Sequence, residues 1–284
     1  DCSGRLLAKA EMLQPGGSVK DRSALGCVEH GLATGALTAG QPVVEMTSGN
    51  MGMGLAVVCG VLAHPFTAYM SRGNSPQRAA MMRAVGAEVV LVDQVDGTPG
   101  RVTGTDIAAA EKHARDDAGA RGAWYVDQFR NPGSVAAHQN GTAAEIWEQT
   151  GGEVDAFVAC VGTGGTLIGV ARGLKARKPS VAAIAVEPAG AAVLAGHAVT
   201  QAQHLLQGAG YGSVPPHWDP KLVDGFLQVN DDEASQCRKW LARRCGLHVG
   251  FTAGANVHAA ISWLRDNGPA TVVTVLCDGG WKYE

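Results

Sequence analysis

The chain has 284 residues, 46% apolar and 17% charged, with a formal net charge of −3. That balance supports a sizeable core, in one large domain or two modest ones, and excludes a disordered chain. The lack of any basic block argues against nucleic acid as a partner, and no apolar run is long and uninterrupted enough to span a membrane.

No secretory signal opens the chain. Asp1 falls inside a strand-like run and the chain stops abruptly at Tyr283 and Glu284, so further residues are expected at both ends. Seven cysteines stand at positions 2, 27, 59, 160, 237, 245 and 277, with no CxxC pair. They read as small buried hydrophobes in a reducing, cytoplasmic compartment. The histidines show no ligand spacing, so no metal site is expected.

In chain order, short β-type runs alternate with helix-type runs. A strand over 6–12 leads through Pro15-Gly16-Gly17-Ser18-Val19-Lys20 into a helix from 21 to about 35. Strands over 42–46, 65–70 and 88–92 alternate with helices over 50–62, 75–85 and 105–118. A short strand at 123–126 and a helix over 134–149 follow. Next come a strand (155–161), a helix (166–176) and a strand (181–186). Residues 190–220 are irregular and read as a long functional loop. Helices over 231–245, closed by Gly246, and 255–265 precede a last buried strand, 271–277. The alternation predicts an α/β fold of parallel sheets covered by helices on both faces.

Three stretches carry chemistry. Lys20 follows a loop with two glycines, and an amine there can form a Schiff base with a carbonyl, above all with pyridoxal phosphate (PLP). Alone, it also fits an ordinary loop lysine. Thr47-Ser48-Gly49-Asn50-Met51 joins a strand to a helix, and such a turn can grip a carboxylate. Plain capping by Ser48 or Asn50 explains it equally well. Gly162-Thr163-Gly164-Gly165-Thr166 is again strand, turn and helix. It lacks a P-loop lysine and does not fit G-x-G-x-x-G, so it suits a single phosphate monoester. A glycine turn that lets helix pack on strand is the alternative. Together the three are what a PLP enzyme acting on an amino acid needs.

The motifs PGGSVKDR (15–22), TSGNMG (47–52), VDQFRNP (126–132), GTGGT (162–166) and VGFTAGA (249–255) occur in that order. In this the chain resembles the fold-type II PLP enzymes, and within them the cysteine synthase (O-acetylserine sulfhydrylase) and cystathionine β-synthase branch. The resemblance implies a two-lobed, tryptophan synthase β-like fold. A smaller mobile domain would span 22–124, and a larger phosphate-binding domain would take 1–21 and 125–284. It implies that Lys20 carries PLP and moves protons, that Asn50 bonds the ring oxygen, and that Thr252 faces the pyridine nitrogen. Gly162, Thr163, Gly164, Gly165 and Thr166 would cup the phosphate. Thr47, Ser48, Gly49 and position 51 would hold the substrate carboxylate, with Gln128 reaching the same group. A homodimer is also implied.

Two departures bear on specificity. Met51 stands where cysteine synthases usually have threonine, and Tyr211 where they usually carry a small residue. In the run 208–212 the chain is similar to cystathionine β-synthases. The expected reaction is β-replacement on an activated serine, O-acetylserine with sulfide, through small-molecule partners only. The rival on the same scaffold is a bulkier nucleophile such as homocysteine. A serine or threonine dehydratase ranks lower, because that branch typically has histidine where this chain has Met51. A catalytically silent protein of the same fold is opposed by the intact Lys20. A phosphate binder without PLP would show no cofactor absorption band.

Overall fold

In the computed structural model the alternation builds two separate parallel sheets. The structure describes residues 4–284, and Cys2 lies outside the described residues. The first half of the chain runs β1 (Arg5–Ala10), α1 (Lys20–Thr34), β2 (Val43–Met46), α2 (Asn50–Val61), β3 (Phe66–Ser71), α3 (Pro76–Ala84), β4 (Glu88–Val92), α4 (Gly104–Arg121) and β5 (Trp124–Tyr125). Then follow α5 (Pro132–Ala137), a π-helical turn (His138–Thr142), α6 (Ala143–Gln149), β6 (Ala156–Cys160), α7 (Gly165–Lys175) and β7 (Ala182–Pro188). The chain finishes with β8 (Gly225–Val229), α8 (Asp231–Cys245), α9 (Phe251–Asn267) and β9 (Thr271–Leu276).

Two compact units result. One takes the chain up to Val19 together with Ser134–Glu284, and the other is Lys20–Gly133. The first holds a five-stranded sheet of order β1-β9-β6-β7-β8, and the second a four-stranded sheet of order β4-β3-β2-β5. Every pair within them is parallel.

The strands are apolar because parallel strands are covered on both faces. Every residue of β3 and of β9 is buried. Thr274, the most deeply buried of the polar residues on these two strands, donates its hydroxyl to the Val158 carbonyl at 2.6 Å. In the larger unit Val154, Phe157, Leu167 and Leu174 belong to one cluster, and Val158, Ile184 and Ala259 to another. In the smaller unit Leu55, Met70 and Met82 pack with α1 side chains.

Four local features differ from the sequence expectation. Strand β8 follows the glycine- and proline-rich stretch 208–216 and has no counterpart in that reading. It is an edge strand, bonded only to β7, and its residues alternate in exposure. Helix α9 begins at Phe251 rather than at 255, because the small residues after it are packed in its first turn. The helix over 134–149 is interrupted by the π turn at His138–Thr142. The smaller unit is Lys20–Gly133 rather than 22–124, so Lys20 falls in it and not in the larger one. Strand β5 pairs with β2, and Asn131 donates to the Val126 carbonyl at 3.0 Å, which ties 124–131 to that sheet.

Cys27 and Cys59 are buried, as a hydrophobic reading requires, but Cys245, the last residue of α8, is exposed. Among the described residues, no helix is long and apolar enough to cross a membrane.

Candidate active site

In the smaller unit, Lys20 is the first residue of α1 and is half-buried. Helix α2 packs against the backbone there through Gly54. Met46 ends β2 and Asn50 begins α2, so the turn between them sits at the carboxyl end of a parallel strand. That is where open α/β sheets bind ligands.

The helix cap at this turn is Gly49, which has no side chain to close the helix. Neither Ser48 nor Asn50 therefore acts as the cap. Thr47 Oγ1 instead accepts from the Gly52 N–H at 3.0 Å, which folds the turn over the helix start. The side chains of Ser48 and Asn50 remain half-buried at that end. The positive end of the α2 dipole lies there, so the turn can take a carboxylate. Met51 contributes no side chain to it: at 3% exposure its thioether is in the core with Leu55 and Met82. Position 51 can serve an anion only through its backbone.

Gln128 stands in the turn after β5. Its Nε2 donates to Glu45 Oε1 at 3.2 Å and to the Met46 carbonyl at 3.4 Å, so it reaches the strand end that carries the turn. Arg78 of α3 donates from Nη1 to the Ser48 carbonyl at 3.4 Å. This places a guanidinium against the same loop.

In the larger unit, residues 162–166 link β6 to α7. Gly164 is the cap of α7, with φ 90°, and again no side chain closes the helix. Thr163 Oγ1 accepts from the Gly165 N–H at 3.5 Å. Thr166 Oγ1 lies 3.2 Å from His138 Nε2, and His138 Nδ1 lies 3.0 Å from Thr142 Oγ1. His138 is fully buried, so the π turn holds an imidazole that orients the Thr166 hydroxyl. A helix start capped by a left-handed glycine, with two hydroxyls beside it, is an arrangement that can take one phosphate group.

Gly162 has a second reason to be glycine. A β-carbon there would stand 2.1 Å from the Gly208 carbonyl oxygen and 3.6 Å from the Tyr211 ring. The stretch 207–211 thus lies along the phosphate-type turn, and Tyr211 is 50% exposed beside it. Thr252 donates to the Gln207 carbonyl at 3.4 Å. It is the second residue of α9, whose cap is Gly250, so Thr252 does not cap that helix.

The structure brings Lys20, Thr47, Ser48, Gly49, Asn50 and Gln128 into one unit, and Gly162, Thr163, Gly164, Gly165, Thr166, Tyr211 and Thr252 into the other. Three further residues at these turns escape a reading of motifs: Glu45, Arg78 and His138. Only Glu45 carries a signal, a lone acid in the apolar run Val43-Val44-Glu45-Met46.

The residues present fit PLP: one unit has an amine at a helix start, and the other has a glycine-capped helix start of the kind that can take a phosphate monoester. Comparison with known proteins agrees. The family of pyridoxal-phosphate dependent enzymes matches residues 1–278. A cysteine synthase of Staphylococcus aureus is 36% identical over 285 residues, covering 100% of this chain and 88% of the relative. The crystal structure of O-acetyl serine sulfhydrylase isoform 3 from Entamoeba histolytica superposes with a TM-score of 0.89 at 34% identity, over 98% of this chain and 81% of that one. An O-acetylserine dependent cystathionine beta-synthase from Helicobacter pylori gives 0.88 at 31% identity, over 99% and 90%.

The chain belongs to the pyridoxal-phosphate dependent enzymes. Within them it is a member of the cysteine synthase family, a fold-type II enzyme that uses PLP for β-replacement.

Proposed function

We propose that this enzyme makes cysteine and acetate from O-acetylserine and sulfide. The observation that carries the reading is the α2 start, whose cap Gly49 offers no side chain and whose loop 47–50 carries short polar side chains, in a unit that also bears Lys20. An amino-acid carboxylate is the anion that such a turn suits.

On this reading Lys20 would hold PLP through its amine, Asn50 would bond the ring oxygen, and Thr252 would face the ring nitrogen. Residues 162–166 would hold the phosphate, with Thr166 oriented by His138. When bound, PLP supplies the electron sink that makes the Cα proton of the substrate acidic. Lys20 Nζ takes that proton and later returns it. Thr47, Ser48, Gly49, the backbone at 51 and Gln128 hold the carboxylate, so that Cα faces Lys20 and the acetoxy group on Cβ can leave. Sulfide then adds at Cβ. The family resemblance carries a cytoplasmic homodimer into the same reading.

A second reading, a larger thiol such as homocysteine as the nucleophile, draws on Tyr211. Its exposed ring stands beside Gly162, where the resemblance to cystathionine β-synthases lies. A panel of serine derivatives with sulfide and with homocysteine, read by product mass, separates the two. Cysteine as the main product supports the first reading, and cystathionine the second. No product from any serine derivative would refute both. Tyr211→Ala should shift the ratio of sulfide to homocysteine turnover if Tyr211 lines the nucleophile's path.

A further inference from the structure

Glu45 lies on β2, two residues before Thr47, and is only 1% exposed. A carboxyl at such a position is neutral or firmly hydrogen-bonded. The Asp127 N–H donates to its Oε2 at 2.9 Å, and Gln128 Nε2 donates to its Oε1 at 3.2 Å. Asp127 adopts a left-handed backbone, φ 54°, uncommon for a residue other than glycine. The turn at 127–128 thus brings both donors to a single buried acid.

The hydrogen-bond inventory of Gln128 couples this acid to the substrate loop. An amide nitrogen has two N–H groups. Here one points to Glu45 and the other to the Met46 carbonyl, 3.4 Å away. In this arrangement the amide has only its carbonyl oxygen left for a ligand. A carbonyl oxygen repels a carboxylate. If Glu45 carries a proton, its O–H can donate to the Gln128 carbonyl once the amide turns over. The NH2 group is then released.

We propose that Glu45 is a positioning residue that, as the neutral acid, turns the Gln128 amide so that its N–H groups meet the carboxylate of the amino-acid substrate. The inference rests on the reading that loop 47–50 and Gln128 hold that carboxylate. Binding then takes up one proton from solvent whenever Glu45 starts ionised.

The surroundings favour the neutral acid. Burial pushes the Glu45 carboxyl up to about 8, and the hydrogen bonds from Gln128 and Asp127 only partly offset this. The Asp127 carboxylate raises it further. Asp127 is itself paired with Arg115 of α4, which also pairs with Glu111 and lies over the Tyr125 ring of β5. Tyr69 of β3 stands opposite Met46. From α1 and α2 the titratable members of the core cluster are the thiols of Cys27 and Cys59. Among these groups Arg115 is the cation, and Asp127 and Glu111 are its carboxylate partners.

The test uses the PLP-loaded enzyme and L-alanine, which has no leaving group. Its Kd is read from the change in cofactor absorbance between pH 7 and pH 9.5, in wild type, Glu45→Gln and Gln128→Met. The alanine amine titrates identically in all three, so ratios of Kd isolate Glu45. The competent fraction of wild type falls above the Glu45 midpoint, so its Kd should rise relative to Glu45→Gln by up to roughly tenfold per pH unit above about 8. Glu45→Gln offers a neutral donor at every pH, and Gln128→Met keeps the acid but removes the amide. Neither variant should show that rise. A wild-type to Glu45→Gln ratio that stays flat from pH 7 to 9.5 would overturn the proposal while leaving the carboxylate site intact. Should Glu45→Gln not fold, the ratio of wild type to Gln128→Met decides in the same way. If L-alanine leaves the wild-type absorbance unchanged, the carboxylate reading falls and the proposal with it.

Discussion

Gly54 of α2 packs directly on the backbone of Lys20: a β-carbon at position 54 would stand 2.9 Å from the Lys20 carbonyl oxygen and 3.1 Å from the Asp21 Cα. The two helices therefore meet at the start of α1. Lys20 opens α1 and Asn50 opens α2, so this close approach joins the two helices that carry them.

Gly54→Ala is expected to fold but to push α2 away from Lys20. Two of the three nearest atoms, the Lys20 carbonyl oxygen and the Asp21 Cα, are backbone and cannot yield cheaply. A displacement of even 1 Å at reacting groups can cost about 100-fold in rate. The variant's kcat should fall by roughly tenfold to 100-fold. Lys20→Ala should lose turnover and the bound-cofactor absorbance altogether. Near wild-type turnover in Lys20→Ala would remove the mechanism, and an unchanged kcat in Gly54→Ala would remove the role of this contact.

Gly164 separates the phosphate role of its loop from a packing role. Its φ of 90° is left-handed, and a β-carbon there would meet His217 Cβ at 3.3 Å. Placing an L-residue in that region costs about 1–2 kcal/mol. Gly164→Val also brings a branched side chain to the open end of α7. PLP affinity, measured by cofactor titration of the apoenzyme, should fall by about 100-fold, more than the backbone strain alone would cause. Unchanged affinity would return the loop to packing, the role that the Gly162 and Gly208 contact already shows for one of its residues.

Arg78 is expected to act on binding rather than on chemistry. It donates to the Ser48 carbonyl and adds positive charge beside loop 47–50, where the substrate carboxylate is proposed to bind. Charge-assisted contacts of this kind contribute about 1.5–3 kcal/mol. Arg78→Gln should therefore raise KM for the amino-acid substrate by about tenfold or more, with kcat within about twofold. A fall in kcat at constant KM would place Arg78 in a different role.

The residues legible without coordinates were those whose chemistry is local. Lys20, the loop 47–50 and the turn 162–166 each show their residue types and their strand-turn-helix setting within a few positions. Glu45 was not legible as a site residue, because its partners Asp127 and Gln128 lie more than 80 positions away and meet it only when β5 pairs with β2. Arg78 and His138 depend in the same way on which helix face packs where. Met51 shows the converse. Its position in the motif suggested a ligand contact, but an apolar side chain at the second position of α2 turns into the core. Strand β8 was hidden by the irregular stretch before it and by its short, alternating edge pattern.

Thr252 offers the sharpest separation between a structural and an electronic role. A threonine ahead of an apolar helix is ordinarily read as its cap. The structure removes that role, because α9 is capped by Gly250 and Thr252 lies within the first turn. The residue is 8% exposed, and its hydroxyl donates to the Gln207 carbonyl, in the stretch that runs along the 162–166 turn. If it faces the pyridine nitrogen, a neutral hydroxyl leaves that nitrogen without a compensating negative charge. A carboxylate there would favour the protonated ring. The protonated ring is the stronger electron sink, and it favours side reactions such as transamination over loss of the Cβ substituent. Thr252→Asp should therefore lower β-replacement turnover by about tenfold or more and shift the cofactor spectrum, an effect of roughly 1.4 kcal/mol or more on the barrier. Thr252→Ser keeps the hydroxyl and should stay within about twofold of wild type. An acidic residue in the first turn favours the helix dipole, so the aspartate variant should not lose thermal stability through α9. Loss of turnover with an unchanged Tm supports the electronic role. Wild-type turnover in Thr252→Asp would exclude it.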